Sequence, residues 1–381
     1  MKNTFDNSLM QESIRINYAG PHLTEEDADF VREAVLNGFY ENYKHYTQIL
    51  ETKLCEITSS KFAIATNSCT AAIHLSLLSL GIREGDEVIT TNSSCVASAM
   101  PIVYCGATPV FVDVDPSTWC LDPDLVRKAI TSKTKAILAV HWNGHPSDLD
   151  SLMEIARSHN VYLIEDAAAA LGAKVNDSHV GSIGDIGCFS FQGAKIAIGG
   201  QGGALVTNDP DLYEKARLYA NYGRTDSQMP YWSDYVGFNY SMPSLPAALA
   251  VSQLNRLDEL LRIKRKIFDR YRSGLHDSDE YRLIEPYAGT SSNFCYPPLL
   301  VSPKSGLDRD LLIQYLQAKN IDARNAQPRL NQMPMFRTGA LCPNSLVVEK
   351  NGVILPSAFN LTDQQIDFVI TELKTFATTK L

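Results

Sequence analysis

The sequence predicts an α/β protein with a large domain on a mostly parallel sheet covered by helices, followed by a smaller α+β domain. Between about residue 60 and residue 210, short apolar runs alternate with helical patterns. Continuous apolar strands separated by helices are typical of a parallel sheet that is buried on both faces. A long helical pattern then leads into shorter mixed segments. We therefore predict a large domain at 1–250 and a small domain at 251–381.

The elements of the large domain follow one another in a regular order. LTEEDADFVREAVLNG predicts a first helix, in which Thr24 and Asp27 have capping-box spacing and Gly38 ends the helix. The predicted strands are KFAIAT, DEVITT, TPVFVDVD, KAILAV, VYLIED, CFSF and ALVT. Helical patterns separate the first five of them: TAAIHLSLLSL, ASAMPIVYCG, PDLVRKAI and DLDSLMEIARSHN.

The small domain begins with a helical pattern that connects it to the large one. SLPAALAVSQLNRLDELLRIKRKIFDRYRSGL predicts one helix that runs to about residue 275. Its basic cluster at 262–266 has the pattern of a solvated helix face. The predicted strands NFCYPPLLV, IDARNA and GVILP and the helices DRDLLIQYLQAKN and TDQQIDFVITELKTFA complete the domain.

Composition and charge exclude several classes of partner. The chain has 381 residues and a net charge of −9 with scattered positive charges, so we expect no nucleic-acid partner. No apolar run is long enough to span a bilayer, and the N-terminus lacks the apolar core of a signal peptide. We therefore expect a cytoplasmic protein without membrane contact. The eight cysteines form no CxxC pair, so we expect reduced, mainly buried thiols and no metal site.

Polar residues stand where two of the predicted strands end. In an open parallel sheet, ligands bind at the carboxyl ends of the strands. Asp166 ends VYLIED, and its carboxylate is compatible with a helix cap, a metal ligand or a partner for a cationic ligand. Asn67–Thr70 begin a helix whose free N–H groups would bind phosphate, although capping by Ser68 or Thr70 is the simpler interpretation. Neither a GxGxxG nor a P-loop pattern is present.

Lys195 stands among apolar and small residues in DIGCFSFQGAKIAIGGQGGALVTND. We expect Ser190 and Lys195 near the end of the strand CFSF, and the following GGQGG allows sharp turns. A lysine that extends from a loop into solvent is the ordinary interpretation. The strand-end acid and the phosphate-competent helix start favour instead a desolvated amine for Schiff-base chemistry, as pyridoxal phosphate (PLP) requires.

The chain resembles the DegT/StrS family of sugar aminotransferases over nearly its whole length. The resemblance is carried by NSCTAAIHLSLLSLGIREGDEVIT, YCGATPVFVDVDP, KTKAILAVHWNGHPSDLD, VYLIEDAAAALGA, GDIGCFSFQGAKIAIGGQGGALVTND, GFNYSMPSLPAALAVSQLNRLDEL and LPSAFNLTDQQIDFVI. It implies fold type I of the PLP-dependent transferases: a large domain with a mostly parallel seven-stranded sheet flanked by helices, and a smaller C-terminal α+β domain.

The resemblance also implies roles for individual residues. Lys195 would form the Schiff base with PLP and later carry a proton between cofactor and substrate. Asp166 would keep the pyridine nitrogen protonated. The phosphate would be bound by Ser190, by the turn Cys69-Thr70-Ala71 and, across a homodimer interface, by Asn239 of the other subunit. These roles would make the dimer the catalytic unit.

The sequence departs from the family pattern at several cofactor contacts. Cys69 stands where relatives usually have glycine, and Cys95 replaces the aromatic residue that usually stacks on the cofactor ring. Ala169 replaces a glutamine, histidine or glutamate three residues after the aspartate. Ser241 replaces an arginine, and Gln201 replaces a glutamate. Asp166 and Lys195 are retained, so we expect the chemistry to survive in a modified pocket.

Substrate contacts are expected in two further segments. NGFYENYKHYTQ contains Tyr40 and Tyr43, which could stack on a base or sugar, although packing of the N-terminal helix explains them equally well. Arg324 corresponds to a family arginine near the mouth of the active site and could face a diphosphate, although a surface arginine is the alternative.

The resulting hypothesis is a PLP-dependent aminotransferase. It would move an amino group from a donor, glutamate by analogy, to a nucleotide-linked keto-sugar in a ping-pong mechanism. One alternative is a PLP-dependent sugar dehydratase of the same family, but those relatives carry histidine in place of the lysine. The other alternative is a PLP-fold sensor or structural protein without catalysis.

Overall fold

The computed structural model describes residues 15–225, 229, 231–336 and 338–379. Residues 1–14 of the predicted large domain and the last two residues of the predicted small domain lie outside the described residues. The strands are β1 (Phe62–Thr66), β2 (Glu87–Thr91), β3 (Thr108–Val112), β4 (Thr134–Val140), β5 (Tyr162–Asp166), β6 (Lys174–Val175), β7 (Ser178–His179), β8 (Ile186–Ser190), β9 (Gly203–Thr207), β10 (Tyr281–Leu283), β11 (Thr290–Ser291), β12 (Pro298–Val301), β13 (Arg324–Asn325) and β14 (Gly352–Ile354).

Helices separate most of these strands. They are α1 (Glu25–Asn37), α2 (His45–Thr58), α3 (Cys69–Ser79), α4 (Val96–Tyr104), α5 (Pro123–Ala129), α6 (Leu149–His159), α7 (Pro210–Ala220), α8 (Ser244–Asn255), α9 (Leu257–Leu275), α10 (Arg309–Ala318), α11 (Pro343–Asn351) and α12 (Asp363–Thr379). The predicted capping box of α1 is confirmed, because the Thr24 and Asp27 side chains and backbones bond reciprocally.

The central sheet is mostly parallel, as predicted from the sequence. In the described residues it has seven strands in the order β1-β9-β8-β5-β4-β2-β3. β9 runs antiparallel to both of its neighbours, while the β3-β2-β4-β5-β8 part is parallel. Strands β4 and β8 are buried almost throughout, which explains their continuous apolar sequences. The α/β fold class is therefore confirmed.

The predicted connecting helix is two helices, so the prediction of one uninterrupted helix was wrong. The chain leaves helical geometry at Arg256, between α8 and α9. Arg256 is nearly buried and donates to Asp27 at 2.8 Å, while Gln253 donates to the same carboxylate at 3.0 Å. These bonds attach the end of α8 to α1. A buried ion pair with helix-capping neighbours outweighs the helical propensity of the sequence at this point.

The prediction that the whole 262–266 cluster is solvated was wrong for Lys264. Lys264 is 2% exposed, whereas Arg262, Arg265 and Lys266 are exposed. The lysine amine donates to the Ser357 carbonyl and hydroxyl and to the Cys295 carbonyl. Burial lowers the pKa of the Lys264 amine to about 8. The residue lies on the stripe of α9 that faces the core, and three oxygen acceptors replace its water shell.

The C-terminal part forms a second sheet and a second core. Strands β10, β12, β14 and β13 form an antiparallel sheet, which packs with α9, α10 and α12 around its own buried apolar cluster. The division at residue 250 stays a prediction. None of the described helices combines the length and the apolar character that a membrane crossing requires.

Candidate active site

Asp166 is the last residue of β5 and is 3% exposed. Ser98 Oγ, on α4, donates to Asp166 Oδ2 at 2.6 Å, and the Ala168 N–H donates to Oδ1 at 3.1 Å. Ser94 Oγ lies 2.8 Å from Ser98 Oγ. Because Ser98 gives its proton to the carboxylate, Ser94 donates to Ser98. The carboxylate is therefore held in one orientation at the carboxyl edge of the sheet.

The start of α3 forms the second part of the site. Ser68 is its N-cap, and Ser68 Oγ accepts from the Ala71 N–H at 3.1 Å. N–H groups in the first turn of a helix have no acceptor within the helix, so the turn Cys69–Ala71 presents donors to an anion, except for the Ala71 N–H, which already donates to Ser68 Oγ. Gly203 of β9 fits closely against this turn, since a Cβ there would lie 2.4 Å from Cys69 N. Both sequence interpretations, capping by Ser68 and an anion-competent turn, are therefore compatible.

The loop after β8 carries Lys195. Ser190 ends β8 and pairs with Gly203 on β9, which brings it beside the start of α3. The loop is closed by bonds between its two ends: the Gly193 N–H donates to Gly200 O at 3.1 Å, and the Lys195 N–H donates to Gln192 O at 2.9 Å. The expected glycine turn is thus present, and it returns the chain to β9, which begins at Gly203.

The Cys69 thiol, at the start of α3, interacts electrostatically with both Asp166 and Lys195. Its thiol lies 4.0 Å from Asp166 Oδ1. Burial raises the pKa of the Cys69 thiol well above its ordinary value, and the charge of Asp166 raises it further, while Lys195 lowers it and Cys95 raises it. Cys69 stays neutral and within reach of Asp166, Lys195 and Cys95. The structure therefore brings Cys69, Asp166 and Lys195 together, with Cys95 at the margin of the site.

An aromatic column leads from Lys195 toward the surface. Lys195 Nζ lies 5.7 Å from the centre of the Tyr296 ring, and the Tyr296 hydroxyl donates to Ala194 O at 2.6 Å. Tyr18 stacks on Tyr296 with ring centres 5.1 Å apart. The Arg324 guanidinium lies 4.5 Å from the centre of the Tyr18 ring. Arg324 is thus linked to the lysine through two stacked rings.

Arg324 is also anchored by a carboxylate. Its Nε and Nη2 donate to the two oxygens of Asp322 at 3.1 and 3.2 Å. The bond to Asp322 raises the pKa of the guanidinium further. The Arg324 side chain is 56% exposed. A fixed, accessible guanidinium at the outer end of the column is suited to bind an anionic group.

The other predicted residues lie at the margins of this arrangement. Cys95 is the exposed N-cap of α4, and Ala169 contributes its carbonyl, which accepts from Asn293 Nδ2 at 2.8 Å. Asn239 is exposed, with its carbonyl accepting from Asn67 Nδ2 at 3.0 Å. The cofactor contacts of these residues stay predictions.

Tyr40 and Tyr43 are not brought to Lys195. Tyr40 is 94% exposed, which excludes packing within this subunit as its role. Tyr43 is 58% exposed, with Lys44 Nζ 5.4 Å from its ring centre and Ser244 Oγ bonded to its carbonyl. None of the contacts recorded for these two side chains within the described residues involves Asp166 or Lys195, so a substrate role stays a prediction.

Sequence reasoning missed Ser98, Tyr18 and Tyr296. The sequence did contain a signal for Ser98. Ser94 and Ser98 are four residues apart at the start of the helix that follows DEVITT, a place similar to that of Ser68 after KFAIAT. Tyr18 and Tyr296 carried no local signal, since they come from the N-terminal segment and from the small domain and meet only in the fold.

The assembled groups fit PLP. The cofactor needs an amine for its aldehyde, an acid for its ring nitrogen and donors for its phosphate; Lys195, Asp166 and the start of α3 with Ser190 offer these in one place. The Asn143 carbonyl accepts from the Tyr296 N–H, and the shielded side-chain donor Asn143 Nδ2 has no acceptor among the described residues, which leaves a hydrogen bond for a bound group. Fold and site together define a PLP-dependent transferase of fold type I.

Comparisons with known proteins agree with this class. Residues 21–374 match the model of the DegT/DnrJ/EryC1/StrS aminotransferase family. The chain belongs to this family and is a PLP-dependent aminotransferase. It is 36% identical over 370 residues to the GDP-perosamine synthase of Caulobacter vibrioides, covering 96% of this chain and 99% of that protein. The GDP-perosamine synthase of Escherichia coli O157:H7 is 34% identical over 362 residues, with 94% and 98% covered.

Solved structures show the same relationship. The PLP form of a putative sugar aminotransferase from Streptococcus pneumoniae superposes with a TM-score of 0.89 at 27% identity, covering 97% of this chain and all of that one. Its pyridoxamine-phosphate form gives the same TM-score. The fold type that the resemblance implied is therefore confirmed.

Proposed function

We propose that the protein transfers an amino group from glutamate to a keto-sugar linked to a nucleoside diphosphate. The observation that carries the proposal is the convergence of Lys195, Asp166 and the start of α3 at one edge of the sheet. Relatives over nearly the full chain are named GDP-perosamine synthase, so GDP-linked keto-sugars are the first substrates to test. The two half-reactions use one site in turn, which gives ping-pong kinetics.

The residues of the chain divide the work at this site. When bound, PLP supplies the electron-withdrawing ring that stabilises a carbanion at the substrate carbon. The Asp166 carboxylate, held by Ser98, would keep a proton on the ring nitrogen. Lys195 Nζ would hold the aldehyde carbon of PLP and, in its free form, would move the proton at the substrate carbon. Between these steps the Tyr296 ring stabilises the lysine ammonium at 5.7 Å.

The substrate side of the site is formed by the column that ends at Arg324. We propose that its guanidinium binds the diphosphate, since it is accessible, fixed by Asp322 and connected to Lys195 through Tyr18 and Tyr296. Tyr40 and Tyr43 are proposed to contact the nucleotide or the sugar. Their exposure supports a role outside the core of their own subunit.

The catalytic unit is proposed to be a cytoplasmic homodimer. Two stretches of the described chain expose large apolar side chains, one at 35–43 and one at 231–236. Soluble monomers rarely expose large apolar surfaces, so a second copy of the chain is the proposed cover. All eight cysteines are free, which suits a reducing compartment.

The function is tested with labelled glutamate and a GDP-linked keto-sugar. We expect the PLP-loaded protein to move the labelled nitrogen into the sugar, and we expect Lys195→Ala to lose transfer at least a thousandfold, because no other amine replaces it. Transfer is measured by mass spectrometry of the sugar product. Lys135→Ala, which removes an exposed lysine of β4, is the matched control and keeps the activity.

Three outcomes would contradict the proposal. Lys195→Ala that transfers nitrogen at the rate of the unmodified protein would remove the lysine from the mechanism. A deoxy-keto sugar as the product, without nitrogen, would indicate dehydration instead of amine transfer. Unchanged keto-sugar with every member of a panel of nucleotide-linked keto-sugars would point to a protein that binds PLP without catalysis.

A further inference from the structure

Asn143 stands in a turn that only special residues tolerate. It has a left-handed backbone, with φ of 54°, three residues after the end of β4 and within Trp142–Gly144. Its side-chain nitrogen Nδ2 is shielded from solvent and has no hydrogen-bond acceptor among the described residues. A buried amide donor without an acceptor costs free energy and is rare in folded proteins. An unused donor at this position therefore indicates a missing ligand.

The turn is fixed to the loop that follows Asp166. Asn293 donates its backbone N–H to Gly144 O, and its Nδ2 donates to the carbonyls of Ala169 and Leu171 at 2.8 and 2.9 Å. Gly144 leaves no room for a side chain, since a Cβ there would lie 1.9 Å from Asn293 Oδ1. Asn143 is therefore next to Gly144, which Asn293 connects by hydrogen bonds to the Ala169 carbonyl.

The same turn is fixed to the Lys195 loop. The Tyr296 N–H donates to Asn143 O at 3.4 Å, and the Tyr296 hydroxyl donates to Ala194 O. β4 and β5 are adjacent and parallel, and the His141 N–H donates to Asp166 O at 3.1 Å. Asn143 therefore lies between the segment that carries Asp166 and the segment that carries Lys195.

We propose that Asn143 Nδ2 donates a hydrogen bond to the ionised ring oxygen of bound PLP, the oxygen next to the carbon that Lys195 binds. This inference rests on the cofactor site proposed above. Ala169 has no polar side chain, and the amide of Asn143 supplies the donor that this position lacks. Asn143 is then a cofactor-contacting residue that the sequence pattern of the site did not include.

The proposal has a spectroscopic consequence. A donor on the ring oxygen stabilises its negative charge and so lowers the pH at which the proton shared between this oxygen and the lysine-linked nitrogen is lost. Loss of the donor removes one hydrogen bond from a neutral amide to a charged oxygen. The midpoint of the pH titration of the visible absorbance then rises by about one to two pH units, and PLP dissociates about tenfold to a hundredfold more readily.

The experiment compares two variants of the PLP-loaded protein. Asn143→Gly removes the side chain and suits the left-handed backbone, and Asn143→Asp keeps the shape without the N–H donor. Visible absorbance is titrated from about pH 5 to about pH 10, and the PLP dissociation constant is measured on reconstituted apoprotein. In both variants we expect the midpoint to rise and PLP to bind more weakly. The other residues near the cofactor, Lys195, Asp166, Tyr296 and Cys69, are the same in both variants and in the unmodified protein.

A matched control and a rescue separate this role from a structural one. Asn160→Gly changes another left-handed asparagine, at the exposed C-terminus of α6, and leaves both values unchanged. Ala169→Gln in the Asn143→Gly background restores a side-chain amide at the site and returns the midpoint toward that of the unmodified protein. A midpoint and a dissociation constant within twofold of the unmodified values in both Asn143 variants would overturn the proposal. Unmodified protein without visible absorbance would instead contradict the proposed PLP site.

Discussion

At the scale of single residues, the site is defined by how Asp166 is held. The carboxylate is buried and receives the Ser98 hydroxyl at 2.6 Å and the Ala168 N–H at 3.1 Å. Such charge-assisted bonds fix direction as well as charge, which a carboxylate facing a ring nitrogen requires. The cofactor is therefore expected to depend on a serine that does not touch it.

Ser98→Ala tests this dependence. Removing the hydroxyl leaves Asp166 Oδ2 without its short bond, and the loss of a bond to a charged group costs about 1.5–3 kcal/mol. We expect the PLP dissociation constant to rise about tenfold, because the freed carboxylate no longer points at the ring nitrogen. Binding is measured by fluorescence titration of the apoprotein.

Ser94→Ala provides the comparison. Among the described residues, Ser94 Oγ bonds to the Ser98 hydroxyl and the Cys95 carbonyl and not to Asp166, so its removal is expected to weaken PLP binding less than about twofold. Equal effects of the two variants would show that general packing of the α4 start, and not the bond to the carboxylate, supports the cofactor.

The same scale separates what the sequence predicts from what it does not. Lys195 and Asp166 were predictable, because each departs from the character of its own neighbours: an amine among apolar residues and an acid at the end of an apolar strand. Tyr296 and Asn143 were not, because their roles depend on contacts with residues that are remote in sequence. Lys264 was mispredicted, since a charge count does not record which face of a helix is buried.

At the scale of elements, the edge strand β1 is completed by polar groups of other elements. Glu51 Oε1 on α2 accepts from the Ala65 N–H at 2.8 Å, and the Met242 N–H donates to Ala65 O at 3.3 Å. A cavity of about 280 Å³ next to Glu51 is lined in part by Lys44 and by Ser241. Burial raises the pKa of Glu51 to about 7, although the Ala65 bond and Lys44 oppose the rise.

Glu51→Gln is expected to stabilise the protein in a pH-dependent way. Between the ordinary value of 4.5 and about 7, the folded chain binds a proton that the unfolded chain has lost, so Glu51 destabilises the fold as the pH rises through this window. Glutamine keeps the oxygen that accepts from Ala65 and removes the charge. We expect the free energy of unfolding of Glu51→Gln to equal that of the unmodified protein at about pH 4 and to exceed it by about 1–2 kcal/mol at about pH 8. This figure is reduced from the full value of the pKa shift because Glu51 is partly exposed.

Urea denaturation at the two pH values measures this gain. Glu56→Gln is the matched control, since Glu56 is exposed on the same helix, and its effect should not change between the two conditions. A gain for Glu51→Gln that is equal at both pH values would contradict the assignment of the raised pKa to burial of its carboxyl group.

The helices and strands were predicted better than the individual contacts, except at the break between α8 and α9. Periodicity and apolar runs predicted the strands of the central sheet, because a strand that is buried on both faces has consecutive apolar residues. The break between α8 and α9 was not visible, because it depends on bonds from Gln253 and Arg256 to Asp27, more than two hundred residues earlier. Local helical propensity alone favours an uninterrupted helix there.

At the scale of the whole molecule, the open question is whether each active site is shared between two subunits. Asn239 is exposed, and its backbone is held beside Asn67, next to the start of α3 in its own subunit. The resemblance predicts that its side chain reaches the phosphate of the other subunit. Asn239 serves its own site or its neighbour's site, and mixed dimers distinguish the two arrangements.

Lys195→Ala and Asn239→Asp are combined for this purpose. Each variant alone is expected to be nearly inactive, the first without its amine and the second because a carboxylate repels the phosphate. If Asn239 acts across the interface, a mixed dimer has one site with both defects and one intact site. Random mixing then restores roughly a quarter of the unmodified activity. If Asn239 acts within its own subunit, every site of the mixed dimer carries one defect, and co-refolded protein that stays inactive would contradict the shared site.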